Sequence, residues 1–515
     1  MAAAFPEGWQ EAADVGMTLA FWAARQPDVL AIAAPTGDRT FAALNQNANR
    51  LARLLGSRGL HEHDRVLLLC GNRAEFAETV QATVRTGLRV TTLNWHLTAE
   101  EASYIADDCG ATAIVAAADL GEVAAAVAER TPRLTIRLAV GGPIPGFEDY
   151  ASAIGAEDGT DLSDPLLGGA MLYTSGTTGR PKGVHRRRVD PASKALNAMY
   201  GYRPGEDRHL CTGPLYHAAP LAFSLAAPLQ CGVGVTLMPV WDVRDCLHLL
   251  ARDHISHTHM VPTMFHRLLA VPAEERARTD TSALRFVIHG AAPCPVGVKQ
   301  ELMTWLGPIV HEYYAATEGT GTWITPEQWL EHPGSVGRAI MPDGVMVGDA
   351  FGGRLPAGET GQVYLRAAKV DPFEYFGDEE KTRSTYRGEW FTLGDVGHID
   401  EDGWVFLTDR SANLIITGGV NVYPAEVDAV LLGHPAVGDV AVIGIPSEEW
   451  GEEVKAVVEL RSGIDGSDAL AAELIAFCRG QLAHFKCPRT VDFVDTLPRL
   501  DNGKIYKRRL RDLYR

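Results

Sequence analysis

The sequence lacks several features that would point to particular classes of protein. Its eight cysteines include no C-x-x-C pair, which excludes a zinc ribbon and a thioredoxin-like dithiol as the basis of function. No apolar run approaches the roughly 18 to 20 residues that span a bilayer, and no basic residue precedes Arg25, so we expect neither a transmembrane segment nor a signal peptide. The resulting expectation is a cytoplasmic protein with reduced, mostly buried thiols.

The charge balance excludes a further class. There are 47 lysines and arginines against 65 aspartates and glutamates, a net charge of −18, which repels phosphate backbones. We therefore expect no general binding to nucleic acid or to anionic membranes. Hydrophobic residues make up 46% and charged residues 22%, as in an ordinary globular protein. At about 150 residues per domain, a chain of 515 residues has room for roughly three to four domain-sized units.

The order of apolar and amphipathic segments predicts an α/β fold. Residues 30–34 read as a strand, Thr40 as the N-cap of the helix that follows, and Thr98 with Glu101 as a capping box before a later helix. This regular alternation of strands and helices indicates a parallel, doubly wound sheet. We predict two such βα subdomains, over about 1–165 and 166–330.

The pattern of apolar and turn-forming residues changes after these two subdomains. Short alternating strands and glycine-rich turns over 331–409 predict a small, mostly antiparallel barrel. The last hundred residues resume a mixed pattern, with a helix that begins at Pro424 as its N1 residue. We therefore predict a large N-terminal domain over 1–409 and a small α+β C-terminal domain over 410–515.

The densest chemical signal is the segment YTSGTTGRPKGV, residues 173–184. Its glycines and hydroxyl side chains can offer backbone N–H and O–H donors to phosphate oxygens, and Lys182 adds a positive charge. Pro181 and Gly183 break the ending that a Walker A loop requires. Taken alone, such a segment is more often a solvated surface loop.

Four further segments give this loop partners: YAATE at 314–318, WFTLGD at 390–395, Asp409-Arg410 followed by GGVNVYPAE at 418–426, and PRLDNGKI at 498–505. Taken together and in this order, the five segments resemble the motifs of the adenylate-forming superfamily, which includes acyl-CoA synthetases, peptide-synthetase adenylation domains and beetle luciferases. The resemblance extends over nearly the whole chain. It implies a mobile C-terminal domain, with a hinge near 410–412, that rotates between two half-reactions.

The resemblance also implies roles for individual residues. Those implied to bind ATP or AMP are Thr174, Ser175, Gly176, Thr177, Thr178, Gly179, Lys182, Gly290, Ala291, Ala292, Tyr314, Asp395 and Arg410. Those implied to be catalytic are Lys504, Glu318, Thr317 and His217, with Glu318 and Thr174 as magnesium ligands. Gly418 and Gly419 are implied to line the channel for coenzyme A. The candidate acyl pocket comprises His217, Ala218, Met260, Thr263 and Tyr313.

These roles fit the chemistry of the side chains, although each has a structural alternative. A glutamate such as Glu318 is a hard oxygen ligand suited to magnesium, and Asp395 can accept both ribose hydroxyls. Equally, Tyr314 fits a core aromatic residue at a strand end, Asp395 a turn residue, and His217 a structural histidine. A lysine near a chain end, as Lys504 is, is usually a surface residue.

The expected function is that of an ATP-dependent acyl-CoA synthetase that uses Mg²⁺, ATP and coenzyme A. Apolar residues dominate the candidate pocket, and it contains no aspartate for the amine of an amino acid, which favours a fatty, aryl or alicyclic acid. A luciferase-like oxidoreductase, a carrier-loading ligase and a catalytically silent nucleotide-binding regulator are the alternatives. Both a monomer and a homodimer remain open. Ala315, Leu393 and Ala412 depart from the family pattern, and we expect the hinge still to rotate because backbone torsions absorb that change.

Overall fold

The structure is a computed structural model that describes residues 5–174, 181–410, 413–417, 420–447, 450–499 and 505–514. Over these residues the chain forms two compact units. The first comprises Met1–Met260, Pro272–Val287 and Ala368–Ser384, and the second Val261–Val271, Ile288–Ala367 and Thr385–Arg515. The chain thus passes repeatedly from one unit to the other.

Residues 5–174 alternate strands with helices, as the sequence predicts. The strands are β1 (Leu30–Ala33), β2 (Arg39–Thr40), β3 (Arg65–Leu69), β4 (Arg89–Thr92), β5 (Ala113–Ala117), β6 (Ile136–Val140), β7 (Glu148–Asp149), β8 (Gly169–Ala170) and β9 (Leu172–Thr174). The helices are α1 (Trp9–Asp14), α2 (Thr18–Arg25), α3 (Phe41–Ser57), α4 (Ala74–Val84), α5 (Ala99–Cys109), α6 (Gly121–Arg130) and α7 (Tyr150–Gly155). The N-cap at Thr40 and the capping box of Thr98 and Glu101 are confirmed.

Residues 181–410 carry most of the remaining strands. These are β10 (Lys182–His185), β11 (Arg208–Cys211), β12 (Gly234–Leu237), β13 (His257–Met260), β14 (Phe286–His289), β15 (Val310–Ala316), β16 (Gly319–Ile324), β17 (Arg338–Ala339), β18 (Val345–Gly348), β19 (Gly361–Arg366), β20 (Glu374–Tyr375), β21 (Tyr386–Arg387), β22 (Trp390–Phe391), β23 (Asp395–Ile399) and β24 (Val405–Arg410). The helices are α8 (Lys194–Ala198), α9 (Ala227–Gln230), α10 (Val243–Arg252), α11 (Pro262–Leu269), α12 (Ala273–Arg278), α13 (Val296–Leu306), α14 (Pro326–Glu331) and α15 (Glu379–Thr385). A π-helix, Pro220–Ala226, precedes α9.

Residues 413–514 form a mixed α and β segment. Its strands are β25 (Ile415–Thr417), β26 (Val420–Val422), β27 (Val437–Ser447), β28 (Gly451–Leu460) and β29 (Thr490–Val494), and its helices are α16 (Pro424–Leu432), α17 (Asp468–Arg479) and α18 (Lys507–Leu513). Pro424 is the first residue of α16, as predicted. The predicted hinge includes Ser411 and Ala412, which lie outside the described residues, so the boundary at 409/410 stays a prediction.

The first unit contains two sheets that are largely parallel. One has the order β7-β6-β5-β3-β4-β8, and every pairing in it is parallel. In the other, β13, β11, β12 and β1 run parallel in that order, and β2 pairs antiparallel with β1. Strands β9, β10 and β20 form a small antiparallel sheet. The predicted doubly wound α/β architecture is confirmed.

Antiparallel pairing dominates the second unit. Strands β15, β16 and β17 pair in succession, and β18 to β24, without β20, form a six-stranded antiparallel sheet, as the sequence predicts for this region. Strands β25 to β29 form a third sheet, in which only the pairing of β28 with β29 is parallel. The faces of this last sheet are covered by α16, α17 and α18, whose buried residues Val427, Leu474 and Leu510 belong to its cores.

The cysteines are free and mostly buried, as expected from the sequence. All eight cysteines are free thiols, and every one except Cys294 is buried. Burial raises the pKa of these thiols, for example that of Cys211 to about 12, so they stay protonated and unreactive. None of the helices within the described residues combines the length and the apolar character that a bilayer crossing needs.

Candidate active site

The described ends of the predicted phosphate-binding segment lie on two adjacent strands, β9 and β10. Strands β9 and β10 pair antiparallel, with Thr174 opposite Lys182 and Tyr173 opposite Gly183. The two predicted phosphate ligands at the ends of the segment therefore face each other across the two strands. The predicted ligands between them, Ser175, Gly176, Thr177, Thr178 and Gly179, lie outside the described residues.

Helix α5 forms hydrogen bonds to β9 and to the residue that precedes β10. The Tyr173 hydroxyl donates a hydrogen bond of 2.5 Å to Oδ2 of Asp108, and the Tyr104 hydroxyl donates to the carbonyl of Pro181 at 3.3 Å. Burial, followed by the bond to Asp108, raises the pKa of Tyr173, so its hydroxyl remains a donor. Tyr104 and Asp108 are four residues apart and share one face of α5. That spacing is the signal by which the sequence could have revealed them.

Lys182 is already engaged with a carboxylate. Its Nζ lies 2.6 Å from Oδ2 of Asp378, which immediately precedes α15, and the second oxygen of Asp378 accepts from the backbone N–H of Lys381 at 2.9 Å. The hydrogen bond to Asp378 raises the pKa of Lys182, and the same bond lowers the pKa of Asp378. Both groups are therefore charged at neutral pH. A phosphate that binds Lys182 must share it with this aspartate or displace it.

His217 lies on a segment that buried polar contacts fix in place. Asn72 donates from Nδ2 to the carbonyls of Gly213 and Met238, both at 2.9 Å, and its Oδ1 accepts from the N–H of Leu215 at 2.8 Å. This buried side chain thus joins the connections that follow β3, β11 and β12. The ring of His217 stands 4.4 Å from that of Tyr216, centroid to centroid. Sequence reasoning did not identify Asn72, since a lone asparagine carries no recognisable pattern.

The chain after His217 continues into the π-helix Pro220–Ala226, which packs on β13. Phe223 stacks on His259 with ring centroids 5.4 Å apart and planes 3° apart. Met260, the next residue of β13, is buried, and Ala218 is half-buried. Three of the predicted pocket residues thus lie on segments of the first unit that are in contact or adjacent in sequence. π-Helices are frequent at functional sites, and no pattern in the sequence predicted this one.

The second unit holds the predicted Thr-Glu motif at the tip of a tight turn. Strands β15 and β16 pair up to Ala316 and Gly319, so Thr317 and Glu318 are the two residues that connect them. The Glu318 carboxylate is buried, whereas Thr317 is half-buried. A two-residue turn fixes the positions of both side chains relative to the strands.

The predicted adenine and ribose residues are brought together beside this turn. The hydroxyl of Tyr314 donates to Oδ2 of Asp395 at 2.7 Å. Asp395 begins β23 after a turn in which Gly394 has a φ of +83°, and it lies directly opposite Arg410 of β24. A carboxylate can accept several hydrogen bonds, so the geometry is compatible with a ribose hydroxyl as a further donor to Asp395.

The segment Gly290-Ala291-Ala292 follows β14 and approaches β15 closely. A Cβ atom at Gly290 would lie 2.6 Å from Cζ of Tyr313 and 2.8 Å from its carbonyl oxygen, so only glycine fits here. Ala291 has a φ of +70°, a conformation uncommon for residues other than glycine. Tyr313, predicted to line the acyl pocket, is buried against this segment, and Thr263 lies in the first turn of α11.

The described residues include no group of three or more histidine, cysteine or carboxylate side chains that could hold a metal ion by themselves. Magnesium at nucleotide sites is usually held by one or two carboxylates together with substrate phosphates. The single buried carboxylate of Glu318 fits that mode of binding. The remaining predicted residues, Gly418, Gly419 and Lys504, lie outside the described residues.

The sequence matches known families over most of its length. It matches the model of the AMP-binding enzymes over residues 19–371 and that of the AMP-binding enzyme C-terminal domain over 426–504. The chain belongs to the family of AMP-binding, adenylate-forming enzymes. Within it, the chain is an AMP-forming acid–CoA ligase.

Individual relatives align over nearly their whole length. The long-chain-fatty-acid–CoA ligase FadD13 of Mycobacterium tuberculosis is 33% identical over 512 residues, which cover 97% of this chain and 98% of the relative. The fatty acid–[acyl-carrier-protein] ligase ScoC of Streptomyces coeruleorubidus is 32% identical, with 96% of each chain covered. The crystal structure of ATP-bound MatB from Rhodopseudomonas palustris is 31% identical and has a TM-score of 0.84, with 98% of this chain and 99% of that chain covered.

A first prediction follows from the contact at Gly290. In Gly290→Ala the added methyl group meets the carbonyl oxygen of Tyr313, which cannot move without its strand, so the end of β15 with Tyr314 must shift. We expect the affinity for ATP to fall by roughly 10- to 100-fold, as measured by titration calorimetry. Gly297→Ala is the matched control: it lies in α13 with open space around its Cβ position, and it should leave ATP binding unchanged. Equal affinities for the two variants would contradict the argument.

Proposed function

We propose that this ligase activates an apolar carboxylic acid, whether fatty, aryl or alicyclic, as its acyl-adenylate and then transfers the acyl group to coenzyme A. The observation that supports the proposal most strongly is the placement of Thr317 and Glu318 on a two-residue turn next to the bonded pair Tyr314 and Asp395. This arrangement provides, within one unit, groups for the adenine, the ribose and the metal-bound phosphates of a single nucleotide.

In the first half-reaction a carboxylate oxygen of the acid attacks the α-phosphorus of ATP. A P–O bond forms to the acid while the bond to pyrophosphate breaks, so the reaction needs positioning and charge stabilisation rather than a protein nucleophile. Thr174, Lys182 and the loop between them would hold the phosphates, with Thr317 donating to the α-phosphate. Glu318 would hold magnesium, whose charge offsets that of the phosphates when it is bound.

The second half-reaction transfers the acyl group to the thiol of coenzyme A. The sulfur attacks the acyl carbon, the C–O bond to AMP breaks, and AMP leaves with the bonding electrons. For this step we propose that the C-terminal domain, residues 410–515, turns about a hinge at 410–412 so that Lys504 leaves the site and Gly418 and Gly419 line the path of the thiol arm.

The apolar character of the acid rests on the candidate pocket. His217, Ala218, Met260, Thr263 and Tyr313 include no carboxylate that would pair with the amine of an amino acid. The segment that follows His217 adds a further apolar side chain, Phe223, which stacks on His259 of β13. FadD13, a relative of this chain, is named for long-chain fatty acids, which is consistent with an apolar acid.

A panel of carboxylic acids tests the proposed function. The purified enzyme is given MgATP and fatty, aryl, alicyclic or amino acids, and pyrophosphate release is followed with and without coenzyme A. We expect release with an apolar acid, and stoichiometric thioester formation once coenzyme A is present. Release only with amino acids would contradict the substrate class. Because ScoC loads a carrier protein according to its name, adenylation with transfer only to a phosphopantetheinylated carrier would contradict coenzyme A as the acceptor.

A second prediction concerns Lys504→Ala. Loss of one preorganised positive charge at the attacked phosphate should slow adenylation by roughly 10²- to 10³-fold, measured as acid-dependent pyrophosphate release. Thioester formation from supplied acyl-AMP should persist, because the second half-reaction does not need this charge. Lys507→Ala is the control, since Lys507 lies three residues further on and is paired with Asp428 at 2.6 Å. Equal losses in both half-reactions of Lys504→Ala would contradict the assigned role.

A third prediction concerns magnesium. In Glu318→Gln the carboxylate becomes a neutral amide, a weaker ligand for a hard divalent cation. We expect the magnesium concentration at half-maximal adenylation to rise by about tenfold or more, measured at saturating ATP and acid. The exposed Glu327 of α14 serves as a control, and Glu327→Gln should titrate like the unmodified enzyme. A magnesium titration of Glu318→Gln that matches this control would rule out Glu318 as a ligand.

A further inference from the structure

The second unit contains a cluster of ionisable side chains that the proposed mechanism does not use. Lys299 of α13 is fully buried, and its Nζ lies 2.7 Å from Oε2 of Glu312 in β15. His289, the last residue of β14, is also fully buried, and its Nε2 stands 3.3 Å from the same oxygen. The ring of Trp329 covers the ammonium group at 4.7 Å from its centroid. Three successive elements of the chain thus meet at a single carboxylate.

The cluster holds charge in the protein interior. Burial by itself would raise the pKa of Glu312, but His289 and Lys299 together lower it, so the carboxylate is ionised at neutral pH. Burial lowers the pKa of His289, which leaves the imidazole neutral. The cluster therefore contains the Lys299–Glu312 ion pair, with both side chains buried in the core.

Stability alone does not account for such a pair. Replacing a buried ion pair by apolar residues of similar volume is often neutral or stabilising, because desolvation offsets the attraction between the charges. An ion pair does fix the relative positions of its two partners, because its geometry tolerates less displacement than an apolar contact does.

The positions of the three residues show which segments of the candidate site the ion pair would hold in place. His289 immediately precedes Gly290-Ala291-Ala292. Glu312 is two residues before Tyr314 on β15, so the two side chains share a face of the strand, and Tyr314 in turn donates to Asp395. Lys299 lies on the helix that follows the Gly290 segment. The cluster therefore links, from within the core, the two segments that the family resemblance implies to bind ATP, and the adenosine would bind between them.

We infer that Lys299 and Glu312 are positioning residues for the nucleotide, and that their ion pair sets the spacing between the Gly290-Ala291-Ala292 segment and Tyr314. The inference rests on the proposed binding of ATP between these segments. Removing one charge leaves the other buried and uncompensated, so the two segments move apart to admit water to it. Removing both charges leaves no uncompensated charge in the core, so the two segments return to their original spacing.

The test compares the single variants Glu312→Gln and Lys299→Met with the double variant in the full-length enzyme. Direct binding of ATP is measured by calorimetry, together with KM for ATP and for the acid. We expect each single variant to weaken ATP binding by about tenfold while KM for the acid changes by less than about threefold, and the double variant to recover most of the loss. Single variants that fold and bind ATP like the unmodified enzyme would overturn the inference. So would a double variant as weak as the singles.

Two further variants separate positioning from general stability. Glu78→Gln removes another buried carboxylate, paired with Arg39 at 2.7 Å in the first unit, and it should lower the unfolding temperature without changing ATP affinity. An equal loss of affinity in Glu78→Gln would overturn the inference. Glu312→Asp keeps the charge and withdraws it by one methylene group, and it replaces Glu312→Gln if that variant does not fold. Weaker ATP binding in Glu312→Asp supports the inference, and unchanged binding overturns it.

The same measurements keep this inference apart from the proposed function. If the unmodified enzyme binds no ATP, the proposed function fails. If it binds ATP and releases pyrophosphate with an apolar acid, while the charge variants bind ATP normally, only the positioning role fails.

Discussion

The hydrogen bond from Tyr314 to Asp395 is the contact on which the arrangement of the candidate site depends. It ties the end of β15 to the start of β23, two strands that belong to different sheets of the second unit. β15 also leads directly into the turn that carries Thr317 and Glu318, and β23 lies opposite Arg410. One polar contact therefore fixes the relative positions of groups that come from three separate stretches of sequence. A shift of either strand would therefore displace all of these groups.

Two lysines in or near the proposed nucleotide-binding segments are each paired with a carboxylate, in two different environments. Lys182 pairs with Asp378 near the surface, where water screens the attraction and a ligand can compete for the ammonium group. Lys299 pairs with Glu312 in the core, where no ligand can reach and the geometry is held. The difference in burial thus gives the two lysines different roles. Lys182 can exchange its carboxylate partner for a ligand, whereas Lys299 keeps its partner and holds the two elements together.

The sequence predicted the fold well where its signals are local or periodic. The N-cap at Thr40, the capping box at Thr98 and the start of α16 at Pro424 depend on neighbouring residues only, and all three are confirmed. The alternation of strands and helices predicted the parallel sheets of the first unit for the same reason. The family resemblance supplied the candidate residues, but it could not say which of them touch.

Contacts between distant residues account for what the sequence did not predict. Asn72 bonds to residues more than 140 positions away, and Lys299, Glu312 and His289 meet only because three elements pack together. Such groups follow no periodic pattern, and each taken singly reads as an ordinary polar residue. The bond from Tyr173 to Asp108 spans 65 positions, although the spacing of Tyr104 and Asp108 on α5 gave a partial signal.

The π-helix after His217 has a consequence for how the pocket can vary. A π-helical turn accommodates one residue more than an α-helical turn, so a single deletion within Pro220–Ala226 can be absorbed by closing it to the α form. That change would rotate the side chains between the deletion and the end of the π-helix by about 100° around the helix axis, whereas those beyond it would keep their orientation. Phe223 would then leave the face of His259 without any substitution having occurred. Chain length in this segment is thus an independent means of reshaping the proposed acid site, one that a comparison of aligned side chains would overlook.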